Sequence, residues 1–159
     1  KGEGDLVTAA DLAVDDLVQA RIRKAFPNDA ILSEETGGEA AQVLWVIDPI
    51  DGTQNFSRGI ARFAVSIAVC ENGRPVCGAI YDPMADELFS ARSRGGAQLN
   101  GVTITARSAH AAGEVLVEAG YSAKSGWGSY HALTGRLFVA GYGVRQAGSA
   151  APRPRTSTR

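Results

Sequence analysis

Trp45-Val46-Ile47-Asp48-Pro49-Ile50-Asp51-Gly52-Thr53-Gln54-Asn55-Phe56 is the stretch on which the reading of this 159-residue chain turns. It opens inside the longest unbroken apolar run, Val43 to Ile47, which reads as a buried strand bounded by Asp48-Pro49. The strand delivers Asp48 at its carboxyl end, and Pro49 fixes the backbone so that Asp51 turns back beside it. Gly52 permits a tight turn with outward N–H groups, and Thr53 adds a hydroxyl. Two carboxylates, the Ile50 carbonyl and exposed N–H donors suit a hard cation bridging to a phosphate. Taken alone, Asp-Gly-Thr is equally well explained as turn punctuation. The full string, with Ser33-Glu34-Glu35 upstream at the end of another apolar step, is not.

Working outward, Thr8 to Phe26 predicts an amphipathic helix, with Ala10, Val14, Leu17, Val18, Ile22, Ala25 and Phe26 on its apolar face. Thr8 is its N-cap and Pro27-Asn28-Asp29 its end. Thr8-Ala9-Ala10-Asp11 is close to a capping box, so by spacing alone Asp11 serves the helix end. Ala30 to Leu32 is a short apolar step. Phe63 to Val69 and Val76 to Tyr81 form a hairpin about Asn72-Gly73, a dipeptide of the two-residue turn. In that register Cys70 faces Pro75 and Ala68 faces Cys77, leaving the two thiols diagonal on one face and too far apart for a disulfide. Glu87 to Ala91 and Gln98 to Thr105 add strands, the latter broken by Asn100-Gly101. Near Ser108 to Gly113 the pattern changes to strand (Val115 to Val117), helix (Ser129 to Ala140) and strand (near Val144), the opening of a parallel sheet. The expected class is α+β, divided into residues 1–107, a helix with a largely antiparallel sheet; 108–151, the start of an α/β unit; and 152–159, a basic tail without an apolar side chain.

With 16 basic and 17 acidic residues and a formal net charge of −1, the chain has no overall basic field to recruit nucleic acid. No run is long enough to span a bilayer, and no export signal opens the chain, so a soluble cytoplasmic protein without a membrane partner is expected. The chain begins at Lys1, which points to a natural start further upstream. His110 and His131 lack any Ser-His-Asp context, and the Asn55-Phe56-Ser57 sequon is read as chance.

Ile47 to Phe56 resembles the metal-binding signature of the inositol monophosphatase family. Four further segments fit in the same order: Asp5 to Asp11, Ser33-Glu34-Glu35, Gly95 to Gly101 and Gly148-Ser149-Ala150-Ala151. The resemblance implies a layered α/β sandwich and Mg²⁺-dependent hydrolysis of a small phosphate monoester, as inositol monophosphate, histidinol phosphate or fructose 1,6-bisphosphate. By that resemblance Glu34, Asp48 and the carbonyl of Ile50 hold a first Mg²⁺, and Asp48 and Asp51 contribute to a second. Thr53, oriented by Asp11, works with Glu34 to activate a water. Asp51, Gly52 and Thr53 meet the phosphate, Gly148, Ser149 and Ala150 the substrate side, and Lys1 falls in a loop that closes the site. Family members are commonly homodimers and often lithium-sensitive.

One element of the family pattern is missing. Its later Trp-Asp pair, which completes the second metal site, has no counterpart, because neither Trp45 nor Trp127 precedes Asp. Three carboxylates against two divalent cations imply a weak first site, a poorer second one and low or absent catalysis, in a chain cut short or frame-shifted after Ala151 or in one that has diverged and lost activity, the Arg-rich tail favouring the former. Two alternatives stand beside this reading. A haloacid dehalogenase-like phosphatase would use Asp48 as nucleophile, but the Asp48-x-x-Asp51 spacing is one residue too long. A remnant without catalysis would act as an association module.

Overall fold

The structure, a computed structural model, describes residues 8–106, 115–121 and 126–149. The apolar run at Val43 continues through Asp48-Pro49, and β2 spans Val43–Asp51. It lies between β1 (Ala30–Ser33), parallel to it, and β3 (Ala64–Glu71), antiparallel to it. Asp48 pairs with Ser66 and Asp51 with Ala64, so β2 carries one extra residue at Pro49-Ile50. That bulge is where a proline, which cannot donate to a ladder, is tolerated. It keeps the strand going while re-aiming the two aspartates. Pro49, Ile47 and Ile50 are buried there, Ile47 at 1% exposure.

The sheet continues in sequence order through β4 (Arg74–Asp82), β5 (Glu87–Arg92), β6 (Gly96–Leu99) and β7 (Val102–Ile104), all antiparallel. Asn72-Gly73 and Asn100-Gly101 take the left-handed backbone their turns require. The expected antiparallel sheet is present, with the β1–β2 pair as its parallel exception. That exception positions the site, because parallel neighbours end at the same edge. Ser33 pairs with Ile47, so Glu34, just past the end of β1, lies beside Asp48 in β2. In the β3–β4 hairpin the register differs from expectation after Cys70–Pro75. Val69 pairs with Cys77 and Ala68 with Gly78, because Val76, next to a proline without an N–H, drops out of the ladder and accepts from the Ser93 N–H instead (2.8 Å). Both cysteines are free thiols, and the slip turns Cys77 to the face opposite Cys70.

Helix α1 (Ala9–Ala25) begins at Thr8 with a complete capping box and ends at Phe26. Its buried face is Asp11, Asp15, Gln19 and Ile22, while Leu12, Leu17 and Phe26 are exposed. The apolar stripe read from the sequence therefore packs only in part: Ile22 is buried and Ala10, Val14 and Val18 are half-buried, whereas Leu17, Ala25 and Phe26 are exposed. Rotation toward the polar side is stabilised by partners for the carboxylates. Gln19 Nε2 donates to Asp15 Oδ2 and to Thr36 Oγ1, both at 2.8 Å, and Arg23 donates to Gln19 Oε1 at 2.7 Å. A short helix absent from the sequence reading, α2 (Thr53–Ser57), follows the aspartates.

The second unit has the expected β-α-β order. β8 (Leu116–Glu118) and β9 (Gly143–Arg145) are parallel neighbours joined through α3 (Gly126–Val139). Trp127, Leu133, Phe138 and Val139 of α3 are exposed. The expected boundary near residue 108 and the basic tail lie outside the described residues, as do Lys1, Asp5, His110 and Ala150. Among the described residues no helix is long and apolar enough to cross a membrane.

Candidate metal centre

The end of β1 and the bulge of β2 converge on one edge. The Glu34 N–H donates to the Ile47 carbonyl at 3.0 Å, which brings the Glu34 side chain to Asp48. A groove of about 390 Å³ runs between them, lined by Ser33, Glu34, Ile47, Asp48 and Ser66 among others. The Asp48 carboxyl is pushed up to about 7, first by burial, then by the negative charge of Glu34 and of Asp51, with a hydrogen bond to Glu34 and the charge of Glu35 adding to it. Carboxyl groups gathered without a cation raise one another's proton affinity in this way, and a bound cation would take the proton's place.

Thr53 stands over the same edge. Its hydroxyl has two acceptors at 3.1 Å, Asp11 Oδ1 and the Ile50 carbonyl, and one proton to give. Asp11 is fully buried. Its Oδ2 accepts from the Thr8 N–H at 2.9 Å and from the Thr8 hydroxyl, so one carboxylate closes the helix start and holds Thr53. Both readings of Asp11, as a cap and as the partner of Thr53, are realised together. On the far side Ser149, also buried, donates its hydroxyl to Asp51 Oδ2.

Asp11, Glu34, Asp48, Ile50, Asp51, Gly52, Thr53, Gly148 and Ser149 thus occupy one neighbourhood, built from α1, β1, β2, α2 and the turn after β9. Among the described residues no three His, Cys, Asp or Glu side chains stand close enough to enclose one ion. The donors fit a metal of another kind: two carboxylates, Glu34 and Asp48, a carbonyl and open space. Mg²⁺ is commonly held by one or two carboxylates while it keeps several waters.

Sequence reasoning missed three contributors. Asn55 is buried and ties α2 to Ala147 across 92 residues. Glu118 gathers Arg62, Arg145 and the Ala147 N–H. Asp15, Gln19 and Thr36 hold the turn that carries Glu34 and Glu35 against α1. Only Asn55 had a local signal, its place inside the motif, while the others depend on contacts distant in sequence.

Known proteins resemble the chain in sequence and in fold. Residues 1–152 match the model of the inositol monophosphatase family. Nus factor SuhB of Escherichia coli K12 is 40% identical over 156 residues, covering 95% of this chain and 58% of the relative. Inositol-1-monophosphatase of Mesorhizobium japonicum is 47% identical over 103 residues, covering 63% of this chain and 39% of that one. Among solved structures, inositol monophosphatase from Anabaena superposes with a TM-score of 0.83 at 38% identity, covering 94% of this chain and 61% of that one. The extragenic suppressor protein suhB of Bartonella henselae superposes at 0.86 with 34% identity, covering 95% and 60%. The chain therefore spans about three fifths of these structures, and with its helix, its mixed sheet and its carboxylate edge it belongs to the inositol monophosphatase family.

Proposed function

We propose that the chain hydrolyses a small phosphate monoester of the inositol monophosphate type with Mg²⁺, by direct attack of water on phosphorus. The observation that carries this reading is the Glu34–Asp48 pair where β1 runs beside β2, with Asp48 pushed up to about 7 by burial and by the neighbouring carboxylates. Glu34, Asp48 and the Ile50 carbonyl would hold the first Mg²⁺, and Asp48 and Asp51 would contribute to a second. When bound, such ions lower the pKa of water, neutralise phosphate charge and stabilise the leaving oxygen.

The residues do the rest. Thr53 donates its hydroxyl hydrogen bond to Asp11 and keeps a lone pair that would accept from the attacking water and orient it. Glu34 accepts the proton that this water loses as the new O–P bond forms and the ester P–O bond breaks. The N–H groups of Gly52 and Thr53 donate to phosphate oxygens, and Gly148 and Ser149 face the departing alcohol. Glu34, Asp48 and Asp51 carry three negative charges against the four positive charges of two Mg²⁺ ions, so turnover by these 159 residues is low. Histidinol phosphate and fructose 1,6-bisphosphate are alternative substrates of the same chemistry.

Relatives named Nus factor favour a second reading, in which the chain is a binding module and not a catalyst. Release of inorganic phosphate from inositol 1-phosphate decides between the two. Activity abolished by chelator and restored by Mg²⁺ supports hydrolysis, and its absence at every Mg²⁺ concentration supports the module.

A further inference from the structure

Beside the carboxylate edge lies a closed circuit of polar contacts to which the hydrolytic scheme gives no task. Asn55, 8% exposed, uses its amide nitrogen twice, donating to the Arg62 carbonyl at 2.7 Å and to the Ala147 carbonyl at 2.9 Å. Glu118 holds the same two residues from their other ends. Its Oε2 accepts from Arg62 Nη2 at 3.2 Å and from Arg145 Nε at 2.9 Å, and its Oε1 accepts from the Ala147 N–H at 2.7 Å. Arg62 and Ala147 are each gripped twice, by one residue of the metal-binding motif and one of the second unit.

The grip has a direct geometric result. Ala147 is two residues before Ser149, whose hydroxyl meets Asp51. Between them Gly148 has φ +74°, and a Cβ there would stand 2.9 Å from Asn55 Oδ1. From the other side a Cβ on Gly52 would stand 3.1 Å from both the Arg62 carbonyl and the Ser149 Cβ. The two turns are pressed together with room for glycine only. Ion pairs with partly buried carboxylates contribute little net stability, but they fix geometry.

We infer that Asn55 and Glu118 are positioning residues, a two-sided latch that seats the Gly148-Ser149 turn on Asp51 and so sets how tightly the metal-loaded centre holds phosphate. Neither touches the reacting atoms; both act through Ala147. The phosphate arm rests on the function proposed above, whereas the latch is testable without it.

The test uses the full 159-residue chain with Asn55→Ala, Glu118→Ala, the double variant, and Glu118→Gln, which keeps an acceptor for the Ala147 N–H. Amide exchange is followed by NMR at Ala147 and Ser149, Mg²⁺ binding is titrated alone, and inorganic phosphate is titrated at saturating Mg²⁺. Because both residues serve one latch, each Ala variant accelerates exchange at Ala147 and Ser149 about tenfold, and the double variant adds less than about twofold to the faster single. Phosphate binding weakens about tenfold while binding of the first Mg²⁺ stays within about twofold, since the latch acts on the turn over Asp51 and not on Glu34 or Asp48. Glu118→Gln falls between wild type and Glu118→Ala, and it carries the test if the Ala variants do not fold. Unchanged exchange in either single variant, additive effects in the double, or equal loss of Mg²⁺ and phosphate binding overturns the latch. If the unsubstituted chain binds no phosphate with Mg²⁺, the proposed function fails, and exchange alone decides the latch.

Discussion

Replacing Asp48 with Asn in the metal-free protein is expected to stabilise it at pH 8 and leave it nearly unchanged at pH 4. The reasoning starts from the carboxyl at the Glu34 edge, which holds its proton up to about 7 when folded, against near 4 in an unfolded chain. The folded state therefore binds the proton more tightly, and stability falls as pH rises from the unfolded value through the folded one. Fully converted, that difference corresponds to roughly 4 kcal/mol. Asp48 is only half-buried, and solvent screening reduces the figure to about 2 kcal/mol. Urea denaturation in EDTA from pH 4 to pH 8 measures it. Wild type should lose about 2 kcal/mol more than Asp48→Asn across this window, most of it before pH 7. Mg²⁺ at pH 8 should restore the loss in wild type and act far less on the variant, because the cation replaces the proton on the same oxygens. Parallel pH profiles for the two proteins would refute the crowding of carboxylates at this edge.

Four further outcomes follow from the coordinates. Apparent Mg²⁺ affinity, read by calorimetry, should rise up to about tenfold per pH unit below pH 7 and level off above it, as proton and cation compete for Asp48. Thr8→Ala, which removes the N-cap hydroxyl of α1, should cost about 1 kcal/mol in urea denaturation; Asp11→Ala should cost at least as much and also lower phosphate release, since Thr53 loses one of its two acceptors and turns to the Ile50 carbonyl. Gly148→Ala should destabilise by about 1–3 kcal/mol, because alanine must adopt a positive φ against Asn55. Under a limiting thiol reagent Cys77, the exposed thiol, should be modified before Cys70, and mild oxidation should leave no internal disulfide, as mass spectrometry would show.

Much of the fold was legible because its signals are local. Asn72-Gly73 and Asn100-Gly101 announce their hairpins by backbone preference, and Thr8 with Asp11 announces the start of α1. The strand order follows from short connections between alternating segments. What escaped the sequence depends on tertiary partners. Pro49 looks like the end of β2, and only pairing with β3 turns it into a bulge. The packed face of α1 carries Asp11, Asp15 and Gln19 beside Ile22 of the apolar stripe, because Thr53 and Thr36 supply hydrogen bonds that periodicity cannot reveal. The site divides in the same way. Glu34, Asp48, Asp51 and Thr53 lie in recognisable strings, whereas Glu118 has no distinguishing neighbours and acquires its role only where β8 meets the turn after β9.

One carboxylate, that of Asp11, is shared between the first turn of α1 and the hydroxyl of Thr53. Helix ends fray at a small fraction of the free energy needed to open a sheet. On warming, each excursion of that turn withdraws Asp11 and leaves the Ile50 carbonyl as the remaining acceptor for Thr53. If the proposed hydrolysis depends on Thr53, chemical competence would be lost while the seven-stranded sheet is still intact, and inactivation would begin below the melting temperature.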